Sequence, residues 1–375
     1  MESTRVGIIG YGFSAKCFHL PFILSVPEFQ VVAFFQRAEK PQDPTSAKPG
    51  SHCTVNHPNA KHYQAADEFF ADSDIDLVIV CSHTDTHALF AEKALLAGKH
   101  VVVEKPFTRT TEEADRIISL AKEKGLILTC YQNRRWDNDF QTLQYLIQHD
   151  ALGVIKDAQI HYDFENAPWV ARMTKKEYSP GEGMSFGLGY HSLDQALLLF
   201  GRPKSVTAFL RAVRGIESEI EDTFTIILQY DGPQRELLVT IKTAIITVMQ
   251  DQLKFFIRGT KGSYVKYGTC IQESQIFTGL KPTTANFGVE DSRLHGTLTT
   301  TTCFDKTQTY EPTSEKYIGA YPTIPGRWME FYANLADAIC GRAEIAVKPE
   351  QSRDGIRVIE LARLSHEQGR SVPWS

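Results

Sequence analysis

The feature that most constrains the fold is a glycine-rich turn near the N-terminus, between a short run of β-forming residues and a helical pattern. The turn has the form Gly-x-Gly-x-x-Ala, with Gly10, Gly12 and Ala15, and it follows the run at 5–9. In such a strand–turn–helix unit, Gly10 permits a tight turn and Gly12 lets the backbone approach a pyrophosphate, while Ala15 keeps the helix close to the sheet. The amides at the start of the helix bind phosphate groups. The pattern therefore predicts a dinucleotide site, to which we also assign Phe13.

The first half of the chain alternates apolar strand patterns with helical patterns. Strands are predicted at 5–9, 29–36, 76–82, 100–104 and 126–131, and helices at 67–71, 86–97 and 111–123. The last two helices are followed by Gly98 and Gly125, the expected C-terminal stops. Continuous apolar strands separated by helices indicate a parallel sheet covered on both faces. The segment 41–59, rich in Pro, Ser, His and Asn, has no periodicity and is predicted to be a surface loop.

After about residue 150 the pattern changes to consecutive strands, which favours an antiparallel sheet. The predicted strands lie at 157–164, 205–211, 223–230, 236–246, 252–257 and 263–267, with helices at 190–200, 328–340 and 350–366. The predicted fold is α/β plus α+β: a doubly wound parallel-sheet domain at 1–132, then an open antiparallel-sheet domain at 133–375 for substrate binding and dimerisation. The two closing helices could pack back on the first domain.

Composition excludes several functional classes. The 375 residues carry a formal charge of −5, which gives no general attraction to nucleic acid or anionic membranes. The longest apolar runs are too short to cross a bilayer, and no secretory signal pattern is visible. The seven scattered cysteines form no CxxC pair, which favours a reducing compartment and predicts no metal site. We expect a cytoplasmic protein with a small-molecule substrate.

The end of the second predicted strand bears on cofactor choice. An Asp or Glu about 20 residues after the glycines usually binds the ribose hydroxyls of NAD. Here the sequence reads Gln36-Arg37, and the first acid is Glu39. Arg37 can pair with a 2′-phosphate, which favours NADP over NAD; an ordinary solvated loop arginine is the alternative.

A third motif, Glu104-Lys105-Pro106, follows the strand predicted at 100–104. Active sites of open α/β sheets lie at the carboxyl ends of strands, where this lysine falls. Lys105 is therefore a candidate catalytic residue, able to stabilise a developing alkoxide or to polarise a carbonyl. We place Ser82, His87, Glu104 and Lys105 in the predicted cofactor site.

Taken together, these motifs and a later segment resemble the Gfo/Idh/MocA oxidoreductase family, and within it the NADP-dependent scyllo-inositol dehydrogenases. The matching residues are Gly10-Tyr11-Gly12, Glu104-Lys105-Pro106, the run from Tyr131 to Phe140, Tyr190-His191 with Asp194-Gln195, Val265 to Gly268, and Gln272-Glu273. The resemblance implies a Rossmann domain, an α+β domain whose open sheet often forms a homodimer contact, and NADP(H) as cofactor.

The resemblance also implies a catalytic Lys, Asp and His. Lys105 and His191 match the first and the last, but the position of the Asp is occupied by Gly187. His191 alone can act as acid or base. Asp194, one helical turn further on, could orient it, although a helix-surface carboxylate is the simpler interpretation. Trp136, Trp169 and Tyr190, with His191, are candidates for lining the substrate pocket.

Three functional hypotheses follow. The first is an NADP-dependent oxidoreductase that interconverts a carbonyl and an alcohol on a sugar-like or other polyfunctional molecule, in the reductive direction. The second is an NADPH-dependent reductase of an imine or conjugated C=C bond, for which Lys105 and His191 suffice as proton donors. The third is a dinucleotide-sensing regulator with little turnover, like the fungal galactose repressor that shares this fold. Retention of both Lys105 and His191 argues against the regulator.

Overall fold

The computed structural model describes residues 3–374, which divide into two compact units. The first unit comprises the residues up to Asn133, Gln275–Ala285 and Trp328–Arg353; the second comprises Arg134–Ser274, Asn286–Arg327 and the residues from Asp354. Within the described chain, no helix is long and apolar enough to cross a membrane. The α-helices are α1 Leu20–Ile23, α2 Cys53–Asn56, α3 Ala66–Ala71, α4 His87–Leu96, α5 Thr111–Lys124, α6 Asn138–Gln148, α7 Tyr190–Phe200, α8 Ile271–Phe277, α9 Met329–Ile339 and α10 Pro349–Gln368. The strands are β1 Thr4–Ile9, β2 Phe29–Phe35, β3 Lys61–Tyr63, β4 Leu77–Val80, β5 His100–Val103, β6 Leu128–Cys130, β7 Ile155–His161, β8 Ser205–Arg211, β9 Thr223–Gln229, β10 Leu238–Thr243, β11 Leu253–Gly259, β12 Gly262–Tyr267, β13 Gly296–Thr300, β14 Thr309–Glu311, β15 Lys316–Tyr321 and β16 Val372–Pro373.

The first unit contains a six-stranded parallel sheet in the order β3-β2-β1-β4-β5-β6. This is the doubly wound order, in which the strand sequence reverses between β1 and β4. All four residues of β4 are buried, as a strand covered on both faces requires. The alternation of strands and helices predicted from the sequence is confirmed.

The second unit contains a ten-stranded sheet in the order β14-β15-β13-β12-β11-β7-β10-β9-β8-β16. All of its strand pairs are antiparallel except β7 with β10, which is parallel, so the sheet is mixed. Helix α7 packs against β7 and β10 on one face. Along β10 buried residues alternate with more exposed ones, the pattern of a sheet with one covered face. The fold class expected from the sequence is thus confirmed, with one parallel pair added.

Several short elements differ from the sequence-based expectation. The segment 41–59 is not entirely loop, because Cys53–Asn56 forms helix α2. The helix predicted after the glycine turn is divided into a π-helical turn, Ala15–His19, and α1. Helices α6 and α8 and the strands β3 and β13 to β16 were not predicted. These strands have two to six residues, and partners elsewhere in the chain define them more than local sequence does.

Candidate active site

A cleft of about 770 Å³ opens in the first unit at the carboxyl ends of β1, β2 and β4. This is the position at which open α/β sheets bind ligands, next to the reversal of strand order. Its lining comes from the residues after each of these strands together with Phe90 of α4: Ile9, Gly10, Gly12, Phe13, Ser14, Phe35, Gln36, Arg37, Ala38, Cys81, Ser82, His83, Asp85, Thr86 and Phe90. The cleft therefore collects Gly10, Gly12, Phe13, Arg37 and Ser82, five of the residues assigned to the cofactor from sequence.

The structure requires a glycine at position 10 but not at position 12. Gly10 has a φ of +89°, and a Cβ there would lie 2.6 Å from the carbonyl oxygen of Cys81, so the fold itself excludes a side chain. A Cβ on Gly12 would meet nothing within 4 Å. Packing does not require this glycine, but a side chain there would project into space that a phosphate group could occupy. Ala15 is fully buried, as expected for a helix held close to the sheet. These residues fit a bound dinucleotide.

Arg37 lies on the exposed side of the cleft, directly after β2. Within residues 3–374 its guanidinium has no ion-pair partner; only its backbone carbonyl accepts a hydrogen bond, from Gln64. The residues on either side, Gln36 and Ala38, provide no carboxylate for the ribose hydroxyls. The cleft thus offers an uncompensated positive charge where NAD-binding proteins commonly have an acid.

Ser82 and His87 lie after β4 but differ in accessibility. The Ser82 hydroxyl accepts a hydrogen bond from the Thr86 hydroxyl at 2.7 Å, at the edge of the cleft. His87 is buried, and its ring nitrogens lie 2.8 Å from the carbonyl oxygen of Pro106 and 3.1 Å from that of Ser82. Burial lowers the pKa of His87. The imidazole therefore connects two loops through their backbone and does not line the cleft.

The segment Glu104-Lys105-Pro106 follows β5, with a cis peptide bond before Pro106. Glu104 is buried; its Oε2 accepts a hydrogen bond from the backbone amide of Lys105, and its Oε1 lies 3.3 Å from Nε2 of His19. Burial alone would raise the pKa of Glu104, but the His19 hydrogen bond and the neighbouring positive charge of Lys105 lower it. The Lys105 residue itself is half-buried.

His19 is a member of this cluster that sequence reasoning missed. It is fully buried, and its Nδ1 lies 2.5 Å from the hydroxyl of Tyr332 on α9. One signal was available: His19 is a polar residue between apolar neighbours, and the side chains of buried polar residues need partners. Its partners, however, are 85 and 313 residues away in the sequence.

In the second unit, His191 lies in the first turn of α7 and is buried. Its ring centroid is 6.1 Å from that of Tyr162, the residue after β7. Tyr162 is also buried, which raises the pKa of its hydroxyl well above the ordinary value. The guanidinium of Arg134 lies 5.0 Å from the centre of the Tyr162 ring on which it packs. Sequence reasoning did not single out Tyr162 or Arg134 as site residues.

The three aromatic candidates for the substrate pocket have different environments. Tyr190 is fully buried beside Gly355 of α10, where a Cβ would lie 2.8 Å from the tyrosine ring. Trp169 is 37% exposed and packs edge-on against Phe164 at 5.0 Å. Trp136 is half-buried, and its carbonyl oxygen accepts hydrogen bonds from the Arg327 amide and the Gln272 side chain. Tyr190 therefore packs within the helical layer, whereas Trp169 is accessible.

The interpretation of Asp194 as a helix-surface carboxylate is wrong. Asp194 is buried and accepts two hydrogen bonds from the Arg135 guanidinium, at 2.8 Å from Nε and 2.7 Å from Nη2. Arg135 belongs to the short 3₁₀ turn Asn133–Trp136, which sequence patterns did not reveal. A buried carboxylate of this kind needs a bidentate partner. Asp194 thus fixes α7 to that turn.

Gly187 lies in a π-helical turn, Ser185–Gly189, directly before α7. Its φ is not positive, and a Cβ there would meet only the Met184 side chain, at 3.5 Å from its sulfur, an ordinary van der Waals distance. The backbone at this position would accept a side chain. The absence of the carboxylate is therefore not imposed by backbone conformation.

A cluster of possible metal ligands lies beside the cleft: His52, Cys53 and His62, whose ligand atoms lie within 4.8 Å of one another. The chain's own groups already engage the histidines. His52 Nδ1 accepts a hydrogen bond from the amide of Thr54 at the start of α2 and lies 2.9 Å from the Thr54 hydroxyl. His52 Nε2 contacts the Ala38 carbonyl, and His62 Nε2 contacts the Gln36 carbonyl. Burial raises the pKa of Cys53 to about 11, which disfavours the thiolate that metals bind. The cluster holds the end of β2 in place.

The fold and the cleft define a dinucleotide-binding protein of the Rossmann type. Comparison with known families agrees: residues 4–132 match the oxidoreductase family with an NAD-binding Rossmann fold, and residues 140–265 match the GFO/IDH/MocA C-terminal domain. The chain belongs to the Gfo/Idh/MocA family of oxidoreductases, as the sequence resemblance indicated.

Individual relatives cover almost the whole chain. An uncharacterized oxidoreductase of Schizosaccharomyces pombe is 37% identical over 99% of this chain and 100% of its own length. The NADP(+)-dependent scyllo-inositol 2-dehydrogenase IolW of Bacillus subtilis is 33% identical over 99% of this chain and 96% of its own. Among solved structures, the yvaA oxidoreductase of Bacillus subtilis superposes with a TM-score of 0.86 at 30% identity, covering 100% of this chain and 99% of that one.

Proposed function

We propose that this oxidoreductase uses NADP(H) and interconverts a carbonyl and an alcohol on a sugar-like or other polyfunctional small molecule, in the reductive direction. When bound, NADPH supplies the hydride. Residues 1–132 form the proposed cofactor domain, with Gly10, Gly12 and Ser82 around the phosphates. Residues 133–375 form the proposed substrate and dimerisation domain.

The observation that carries the choice of NADP is the Arg37 guanidinium at the exposed side of the cleft, which has no ion-pair partner in the described part of the chain. Guanidinium groups form bidentate hydrogen bonds with phosphate, and an arginine near the ribose accommodates a 2′-phosphate. With no acid at positions 36 to 38, an NAD ribose would lose its usual acceptor. That the relative IolW is named as an NADP(+) enzyme supports the same choice.

The chemistry assigned to the chain's own residues is proton transfer and charge stabilisation. Reduction of a carbonyl adds a hydride to carbon and leaves negative charge on oxygen, which then takes a proton. Lys105 is proposed to stabilise that charge by electrostatic interaction, and His191 to supply the proton. A histidine suits this role because its ordinary pKa lies close to physiological pH.

A second function is favoured by one observation, the glycine at position 187. Without a carboxylate there, the chain lacks an acceptor for polyol hydroxyls that the family resemblance implies, and the backbone does not explain the loss. Reduction of an imine or a conjugated C=C bond needs no such acceptor. NADPH consumption measured with sugars, inososes, enones and cyclic imines separates the two functions by which class gives the highest kcat/KM.

The cofactor assignment is tested by calorimetric titration of wild type and Arg37→Ala with NADP(H) and NAD(H). We expect wild type to bind NADP(H) more tightly than NAD(H). In Arg37→Ala the ratio of the two affinities should fall about ten- to hundredfold, because that is the effect of losing one charge-assisted hydrogen bond. Lys40→Ala removes another exposed positive charge outside the cleft lining and should leave the preference unchanged. Equal affinities in wild type, or an unchanged preference in Arg37→Ala, would contradict the assignment.

A further inference from the structure

Three lysines are buried among residues 3–374, and one of them differs from the others. Lys99 donates hydrogen bonds to the carbonyl oxygens of Asp72 and Ile75, and Lys266 forms an ion pair with Glu290 at 3.2 Å. Lys254 is equally buried, at 3% exposed, but within the described chain its ammonium has neither an ion-pair nor a hydrogen-bond partner. Burying a charge without a partner is costly, so such groups are rare unless something outside the chain pairs with them.

A β-bulge turns the Lys254 side chain toward the interior of the second unit. In the pairing of β11 with β12, Leu253 lies opposite Tyr267 and Phe255 lies opposite Lys266, so Lys254 is the extra residue. Consecutive residues of a regular strand point to opposite faces, yet Lys254 and Phe255 are both buried. Bulges are over-represented next to active sites, where they redirect a side chain. The backbone is thus distorted to direct an ammonium group inward.

The group that Lys254 does contact is the ring beside His191. Its Nζ lies 5.0 Å from the centre of the Tyr162 ring and 5.1 Å from that of Phe255. Cation–π contacts recover only part of the solvation that a buried ammonium loses. The second cation on the Tyr162 ring, Arg134, has its own counter-ions in Glu273 and Asp137. Around this ring, therefore, the uncompensated charge is that of Lys254.

We propose that Lys254 binds an anionic group of the substrate, a carboxylate or a phosphate ester, and so selects acidic over neutral molecules. The inference rests on the proposed function and names its substrate class. A hydroxyl group would offer the ammonium a hydrogen bond but would not compensate its charge, whereas an anion does both. His191 lies beside the same Tyr162 ring, so this ring separates the proposed proton donor from the ammonium that would bind the substrate.

The first test needs no ligand. If Lys254 awaits an external anion, Lys254→Met keeps the apolar stem, removes the uncompensated charge, and leaves the Tm equal or higher. If Lys254 instead stabilises the fold through its contacts with the Tyr162 and Phe255 rings, the Tm of Lys254→Met falls, which would overturn the proposal. Lys204→Met, which removes an exposed lysine charge in the same unit, gives the baseline for losing one positive charge.

The second test uses inorganic phosphate and acetate as probes at constant ionic strength, with chloride as the reference. Either anion should raise the Tm of wild type and Lys204→Met more than that of Lys254→Met. An effect of phosphate alone indicates a phosphate ester, and an effect of acetate alone a carboxylate. Phosphate bound in the nucleotide cleft contributes equally to all three proteins and cancels. Equal responses of wild type and Lys254→Met to both anions, including no response, would overturn the proposal.

NADPH affinity, titrated on the same proteins, keeps the two proposals separate. Lys254→Met should bind NADPH as wild type does. With an acidic substrate its KM should rise about ten- to hundredfold while kcat changes little, because the lost interaction is a binding contact. If the anion effects fail while NADPH binding and turnover persist, only the substrate class is wrong. If no protein binds NADPH or turns over any substrate, the proposed function itself fails.

Discussion

At the scale of single residues, a buried cluster of polar side chains holds the backbone of Lys105, whose own residue is half-buried. Glu104 stays ionised because the hydrogen bond and charge of His19, with the positive charge of Lys105, outweigh the effect of burial on its pKa. Its other oxygen accepts a hydrogen bond from the Lys105 amide. The carboxylate therefore fixes the backbone at the start of the segment. Lys99, by contrast, is held by two carbonyl oxygens, and burial lowers its pKa. Lys99 therefore has a structural role, and Lys105 is the catalytic candidate.

This contrast gives a prediction for Lys105→Met. Removing a group that stabilises charge on the reacting oxygen should lower kcat by about 10²-fold or more, measured with the best reducible substrate. The Tm should change little, and measuring kcat at saturating NADPH separates this loss from any loss of cofactor affinity. Lys99→Met is the matched control: it should lower the Tm, because the carbonyl oxygens of Asp72 and Ile75 each lose a hydrogen bond, while kcat of the folded enzyme is retained. Normal turnover by Lys105→Met would show that this lysine only ends a strand.

At the scale of elements, the start of α7 brings together two residues that match the family pattern, His191 and Asp194, and one position that departs from it, Gly187. The helix is fixed at Asp194 by Arg135, and its first turn carries His191. The π-helical turn before it contains Gly187, at a backbone conformation open to other residues. Position 187 can therefore be changed without disturbing the buried ion pair.

We expect Gly187→Asp to fold and to gain polyol oxidation. The new Cβ would meet only Met184 at van der Waals distance, so the Tm should fall by no more than a surface substitution produces. The measurement is kcat/KM for scyllo-inositol with NADP, compared with that of the best reducible substrate with NADPH. Gly187→Asn, of the same size but uncharged, separates a carboxylate effect from a steric one. Efficient scyllo-inositol oxidation by the wild type would show that the carboxylate is dispensable.

At the scale of the whole molecule, one face of the large sheet carries accessible apolar side chains among polar ones. The outward-facing side chains Phe209 on β8 and Leu238 on β10 are 56% and 40% exposed, and Phe256 on β11 points to the same face. An exposed apolar patch on a sheet commonly marks an interaction surface. The family resemblance implies that a second copy of the chain covers it.

We therefore predict a homodimer whose contact is this face. Light scattering coupled to size exclusion should give twice the chain mass of 42.2 kDa for the wild type. The double variant Phe209→Asp, Leu238→Asp should shift to the mass of one chain, because two buried carboxylates would lose hydration. Leu96→Asp, at a leucine on α4 of the first unit that is 61% exposed, should remain dimeric. A monomeric wild type, or a dimeric double variant, would contradict the prediction.

Much of the fold could be predicted because its signals are local. The glycine turn, the apolar strands and the glycines after α4 and α5 depend on neighbouring residues, as do the consecutive strand patterns that predicted the second domain. The short strands β3 and β13 to β16 and the helices α6 and α8 escaped prediction because their places depend on partners elsewhere in the chain. The roles of Lys105, His191 and the cofactor residues stay predictions.

The sequence by itself determined the residue types available for chemistry: a glycine turn for phosphates, an arginine in place of an acid, a lysine at a strand end, and no carboxylate at position 187. Only the tertiary structure decided which charges are compensated. Asp194 gained Arg135 and Glu104 gained His19. Lys254 was turned inward by a bulge and gained no anionic partner among residues 3–374. The physical reason is that the energy of a charge depends on burial and on partners distant in sequence, and neither is encoded in a local pattern.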